Sequence, residues 1–236
     1  NDLINMSIVP YDAAIDIVSR KKVQKIRSLY NELFKSLLHE HEEKRKGEKI
    51  SQQIHVKAAM VLKKEQRWVN VKPSFGHVPG VHIGDRFQYR AELCLVGLHH
   101  ELNAGINYVT VGGKNYANSV VDSGRYENMV KRPNILLYSG QGGNPKTSSK
   151  NIEDQKLEKG NLALKNSMDG KLPVRVIRKT KLAQDAIGKE MYIYDGLYAV
   201  SRILPERSAV GKLTFMFELV RMSDQPDCTA LTISKS

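Results

Sequence analysis

Cysteine is scarce. The 236 residues hold two, Cys94 and Cys228, too few for a disulfide framework or a zinc cluster of the usual spacing, so a reducing compartment is expected. Long apolar runs are missing as well: none approaches the roughly 20 residues of a spanning helix, and no membrane segment is expected. The opening NDLINMSIVP has neither the charged head nor the apolar core of a secretory leader. Catalytic patterns are also lacking. The loop GQGGNPKT, Gly140 to Thr147, places Pro145 where a phosphate-binding loop needs glycine, and proline has no N–H to donate. The dinucleotide GxGxxG pattern fails at the same residue. Of seven histidines, His99 and His100 are adjacent; read as strand residues they point to opposite faces and do not chelate one ion. His39 and His41 lie in a charged helical stretch and read as solvated. No Ser/His/Asp spacing or carboxylate pair stands out, so the chain is read as non-enzymatic, with no cofactor and no metal.

What the chain does have is positive charge. Its formal net charge is +12, with 41% hydrophobic and 26% charged residues. That balance fits a folded domain with an anionic partner, nucleic acid first among them. Residues 1–72 carry 15 Lys/Arg against 9 Asp/Glu, and the remainder 22 against 16, so both parts contribute to a basic footprint.

Residues 11 to about 67 read as helical. Ile26, Leu29, Tyr30, Leu33, Phe34, Leu37 and Leu38 form one apolar stripe at helical spacing. Asp12 is placed to cap its start, and Gly47 to stop it. A second helix carries Ile54, Ala58, Val61 and Leu62 toward Trp68. The pair reads as a helical hairpin packed on something else. From Pro73 the pattern changes to short β-rich runs separated by turn signals: RFQYRAELCLVGL, NYVTV, NSVVDS, NILLYS, PVRVIR, EMYIYDGLYAV and LTFMFELVRM. One helical candidate, DQKLEKGNLALKNS, interrupts them. The expected division is a helical arm over 1–72, an α+β domain over 73–223, and an irregular tail over 224–236.

One constellation points to a ligand. Tyr126 and Tyr138 are twelve residues apart, in SGRYEN and LLYSGQGG. Two aromatics on loops flanking a strand can clamp a flat ring, and base–aromatic stacking contributes roughly 1–3 kcal/mol per base. Two tyrosines packed in the core is the plainer reading of that spacing alone.

The ordered series VPGVHIGDRF, GLHHELNAGINY, SGRYEN, LLYSGQGGN, EDQKLEKGNLALKNS, PVRVIR and YDGLY resembles the SRA-YDG domain, in particular that of the plant SUVH branch of histone lysine methyltransferases. The YDG is Tyr194, Asp195 and Gly196. The resemblance covers about residues 74–223. It implies a curved, barrel-like antiparallel β-sheet with flanking helices, preceded here by the helical hairpin. It also implies recognition of 5-methylcytosine in duplex DNA by base flipping, in chromatin and therefore in the nucleus. Tyr126 and Tyr138 fall where the family's tyrosines sandwich the everted base, and Ser139 where a small hydroxyl residue lines the pocket. Asn103 falls in the thumb loop that enters the duplex. Lys146 and Lys150 fall in a second DNA-contacting finger. Arg125, Lys131 and Arg132 are further phosphate candidates, Arg125 alternatively a brace for the pocket loop. Chromatin proteins are further possible partners, and the oligomeric state is left open. The family's Cys-rich zinc clusters and catalytic SET domain have no counterpart in these residues.

The sequence departs from the family at one point. The acidic residues that usually follow the first tyrosine, one of which accepts the cytosine amino group, are here Asn128 and Met129. Asn128 still offers a carbonyl oxygen and Glu127 is adjacent, but an uncharged acceptor makes a bond about half as strong. The alternative reading is therefore a degenerate SRA domain with weakened or lost base readout, acting as a non-specific DNA-binding or protein-interaction scaffold.

Overall fold

The computed structural model describes residues 12–44, 54–123, 134–142, 153–181, 190–207 and 211–226. Helix α1 spans Ala13–Lys44. Asp12 caps it as the sequence predicts, its carboxylate accepting from the backbone N–H of Ala14 at 2.8 Å and Ile15 at 3.1 Å. Helix α2 spans Ile54–Lys64, three residues short of the expected Arg67. Gln66 takes a left-handed φ of 56° and the Arg67 N–H returns to the Leu62 carbonyl, which closes the helix early. Gly47, the expected stop of the first helix, lies outside the described residues.

The stripe on α1 meets Ala58, Ala59 and Leu62 of α2 and Ala91 and Leu95 of a third helix in one apolar cluster. That third helix, α3, spans Arg90–Leu95 and corrects the sequence reading. RFQYRAELCLVGL was expected as strand, but only β1, Arg86–Phe87, is strand. Glu92 decides the matter: its carboxylate accepts from the backbone N–H of Tyr89 at 2.9 Å and of Gln88 at 2.7 Å, completing a capping box that starts a helix.

Strands β2 (Ile106–Val111) and β3 (Lys114–Asp122) form a hairpin. They are followed by β4 (Ile135–Ser139), helix α4 (Lys159–Asp169), β5 (Val174–Lys181), β6 (Glu190–Arg207) and β7 (Leu213–Arg221). The sheet order is β2-β3-β5-β6-β7-β4, with β1 paired to β6 off this path. Neighbours are antiparallel except β3 and β5, which run parallel. A parallel pair needs a crossover, and the chain between these two strands includes β4 and α4. The fold is thus α+β with a mainly, not wholly, antiparallel sheet.

One core lies between the sheet and α4: Ile106, Val120, Leu136, Tyr138, Leu164 and Phe217 are all in it. A second joins Val23 of α1 to Phe87, Leu93, Val121, Ile177 and Tyr194. The helical arm is therefore packed on the domain. Its docking is polar as well. Asp16 accepts from the Gly80 N–H at 2.7 Å and pairs with His82 at 2.7 Å, while Arg20 grips both carboxylate oxygens of Asp85.

Of the YDG residues, Tyr194 reaches this junction, while Asp195 and Gly196 serve the sheet. Tyr194 is fully buried and exchanges backbone hydrogen bonds with the Gly84–Asp85 turn. Asp195 accepts from Arg178 Nε at 2.5 Å and the Tyr198 hydroxyl at 2.6 Å. Gly196 has φ 117° beside a β-bulge at Val176/Ile177, a conformation that favours glycine. The expected tail begins firmly: Gln225 accepts from the Leu197 N–H at 2.6 Å and donates to the Leu197 carbonyl at 2.8 Å.

Candidate functional site

Although β2 and β4 stand at opposite ends of the strand order, the chain at their tips meets. With its amide oriented by the hydrogen bonds it can make, Gln141 just beyond β4 accepts from the backbone N–H of Ile106 at 2.9 Å and of Gly105 at 3.1 Å at the start of β2. The sheet curls far enough for its ends to touch through this side chain. Tyr138 sits at the same junction. It lies within β4, not on a flanking loop as expected, and only 8% of it is exposed. Its hydroxyl is 2.5 Å from where a Cβ on Gly105 would stand. Burial alternates along β4, which puts Leu136 and Tyr138 on one face and Ser139 on the other. The Ser139 hydroxyl lies 3.3 Å from the Gly140 carbonyl.

Two buried amides pin the turn that follows Tyr138. Asn161, 2% exposed at the start of α4, accepts from the Gln141 N–H at 2.7 Å and donates to the Gln141 carbonyl at 2.9 Å. Gln155 donates to the Gly140 and Gly142 carbonyls and accepts from the Phe215 N–H. Both belong to the segment DQKLEKGNLALKNS, which was read as a helical candidate. Its first part is extended up to the helix start at Lys159, and that frees Gln155 to reach the turn.

On the other side of the junction lies the loop 99–105 with Asn103 exposed on it. His99 and His100 are not on a strand, contrary to expectation; they open this loop. His99 is fully buried, Nδ1 at 2.9 Å from Ser119 Oγ and Nε2 at 3.0 Å from the Ala104 carbonyl. A neutral ring meets both by donating from Nε2 and accepting at Nδ1. Burial first, then the neighbouring Arg90 cation, push its pKa down to about 3. Arg90, from α3, donates to the Asn103 carbonyl at 3.2 Å and also to the Ala104 carbonyl. Leu102 packs against the cluster of the helical arm, which also includes Trp68, and His100 meets the Trp68 ring edge-on at 6.5 Å.

Arg175 ties down the base of this loop. It is fully buried on β5 and donates to the carbonyls of Leu98, Ser74 and Gly76. Burial lowers its pKa to about 10, still above neutrality, so the guanidinium stays charged; Nε and Nη1 donate to the three carbonyls, while the buried Nη2 has no hydrogen-bond partner.

The structure thus brings Tyr138 and the Asn103 loop to one junction. Tyr126, Glu127, Asn128, Arg125, Lys131, Arg132, Lys146, Lys150 and Cys228 lie outside the described residues. Sequence reasoning missed Arg90, His99, Gln141, Gln155, Asn161 and Arg175. Arg175 alone carried a signal, as a charged residue inside the apolar run PVRVIR; Gln141, Gln155 and Asn161 lie in polar, glycine-bearing stretches. Cys94 is buried on α3 and its pKa is raised to about 11 by burial, which makes it a poor nucleophile. Among the described residues no cluster of His, Cys, Asp or Glu could hold a metal ion.

A family profile described as the SAD/SRA domain matches residues 74–225. The chain is 39% identical over 225 residues to the H3 lysine-9 specific histone-lysine N-methyltransferase SUVH5 of Arabidopsis thaliana, covering 92% of this chain and 28% of that protein. It is 39% identical over 213 residues to a YDG domain-containing protein of the same plant, covering 89% of this chain and 64% of the relative. The chain therefore spans less than two thirds of either. Among solved structures, KRYPTONITE in complex with mCHG DNA and SAH superposes with a TM-score of 0.77 at 31% identity, covering 88% of this chain and 44% of that one. The SUVH5 SRA–methylated CHH DNA complex matches with a TM-score of 0.55 at 45% identity, covering 65% of this chain and 97% of the other. On the extent of the profile match and of these identities, the chain belongs to the SAD/SRA domain family.

Proposed function

We propose that this chain is a reader of 5-methylcytosine in duplex DNA, acting in the nucleus on chromatin, and that it takes the modified base out of the stack. The observation that carries the reading is the junction itself. Tyr138, buried on β4, and the loop carrying the exposed Asn103 meet where Gln141 links the two ends of the sheet, in a chain 45% identical, over 65% of its length, to an SRA domain solved on methylated DNA. In this reading Tyr126 stacks on the base opposite Tyr138 and Asn128 or Glu127 meets the cytosine edge, while Ser139, a pocket residue by family resemblance, stands on the other face of β4 from Tyr138. Asn103 enters the duplex, and Arg125, Lys131, Arg132, Lys146 and Lys150 meet phosphates, positioning the duplex without reading it.

Magnitudes separate binding from selectivity. Flipping costs a few kcal/mol, and two stacked rings at roughly 1–3 kcal/mol each offset most of it. Burying the methyl group adds about 0.8 kcal/mol, roughly a fourfold preference. Selectivity therefore depends on pocket shape and edge hydrogen bonds. Asn128 and Met129 in place of the acidic pair favour a second reading, in which DNA or protein binding persists without methyl readout.

Titration of duplexes that differ only in methylation tests both. Preferential binding of the methylated duplex, lost in Tyr138→Ala, is the expected result. Equal affinities with a steep salt slope would mean backbone binding alone, and no binding at low salt would leave the protein-interaction scaffold.

A further inference from the structure

Arg90 occupies a place that the stacking and phosphate roles leave unexplained. It starts α3, which is packed on the helical arm through Ala91 and Leu95. Its guanidinium reaches across to the carbonyls of Asn103 and Ala104 and stands 3.1 Å from His99 Nε2. The Tyr138 hydroxyl lies close enough to interact with it electrostatically. One rigid fork thus holds two successive carbonyls of the loop whose end, Gly105, lies against the Tyr138 hydroxyl. A planar guanidinium holds two adjacent carbonyls in a geometry that a flexible ammonium does not reproduce. The loop has a second tether in His99, whose ring reaches Ala104 and Ser119, but the carbonyl of Asn103 is held by Arg90.

We infer that Arg90 is a positioning residue for base eversion: by fixing the Asn103 and Ala104 carbonyls it sets the loop over the Tyr138 wall, so that insertion into the duplex needs no prior ordering of the loop. The inference rests on the proposed reading of methylated DNA. A loop ordered in advance gains affinity because its entropy is lost on folding and not on binding. Removing the fork therefore slows and weakens eversion while the general attraction between a +12 protein and DNA persists.

The test uses the full chain, a methylated duplex and 2-aminopurine placed beside the methylated cytosine, whose fluorescence rises when its neighbour leaves the stack. Arg90→Met keeps the apolar stem and removes every donor; Arg90→Lys keeps a charge without the fork. Arg90→Met is expected to lose about tenfold in methyl-specific affinity, the loss of charged hydrogen bonds, together with most of the fluorescence rise, and to keep the wild-type salt slope. Arg90→Lys is expected to recover part of both. Emission of Trp68, the chain's single tryptophan, reports whether each variant folds. If Arg90→Met does not fold, Arg90→Lys decides, with a loss of threefold or more expected. Eversion equal to wild type in the folded variant overturns the inference. Absence of a fluorescence rise in the wild-type chain overturns base eversion itself, and the role of Arg90 falls with it.

Discussion

The hydroxyl of Tyr138 stands 2.5 Å from the position of a Cβ on Gly105, so the residue that ends the Asn103 loop is small because a tyrosine needs the room. Gly105→Ala forces either the ring or the loop to move. Overpacking of this kind costs about 1–3 kcal/mol. The expected outcome is a modest loss of stability in urea unfolding and a larger loss of preference for methylated over unmethylated duplex. If the preference survives intact, Tyr138 and the loop do not act together.

Acid should weaken the fold through its histidines. His99 is held near a pKa of about 3 by burial and the adjacent Arg90, against an ordinary value of 6.5. His55, His77 and His100 are also lowered, chiefly by burial. A base with a depressed folded pKa takes up its proton in the unfolded chain first. Stability is therefore full above the unfolded pKa and falls as pH drops through 6.5 toward the folded value. His99 alone accounts for about 1 kcal/mol lost between pH 6.5 and 5.5. Urea midpoints measured across that interval check the sign; a flat profile would mean that His99 is hydrated in solution.

The arm docks where Gly80 lies against α1. Gly80 has φ 76°, and a Cβ there would fall 2.4 Å from the backbone carbon of Ser19. Gly80→Ala is doubly unfavourable, by backbone strain and by collision with helix backbone that cannot yield. Separation of α1 from the turn that carries Asp85 is expected, read as faster proteolysis within the arm and a lower urea midpoint. Asp85→Asn, which keeps the shape and removes one charge from the Arg20 pair, should act in the same direction and more weakly. Wild-type protease resistance in Gly80→Ala would contradict the docking.

Much of this architecture could be read from local pattern. The cap at Asp12, the stripe on α1 and the short β-rich runs of β2 to β7 are signals carried by neighbours in sequence. α3 escaped that reading because its apolar residues form a run too short to show a period. The decision came from Glu92 bonding backwards to Tyr89 and Gln88. The residues that shape the candidate site were hidden for another reason. His99 finds Ser119 twenty residues away, and Arg175 finds Ser74 across 101 residues. A buried polar side chain declares itself only through partners that folding brings near. The family resemblance supplied what periodicity could not: a reason to look at Tyr138 and Asn103 together.

Among the described residues the ends of the sheet are joined by an amide on a side chain, with no strand ladder between β2 and β4. The gap between these two ends is therefore set by the reach of one side chain. An asparagine in place of Gln141 would have to draw the two edges closer or let them part, and a lineage could widen or narrow its mouth there without redrawing a single strand.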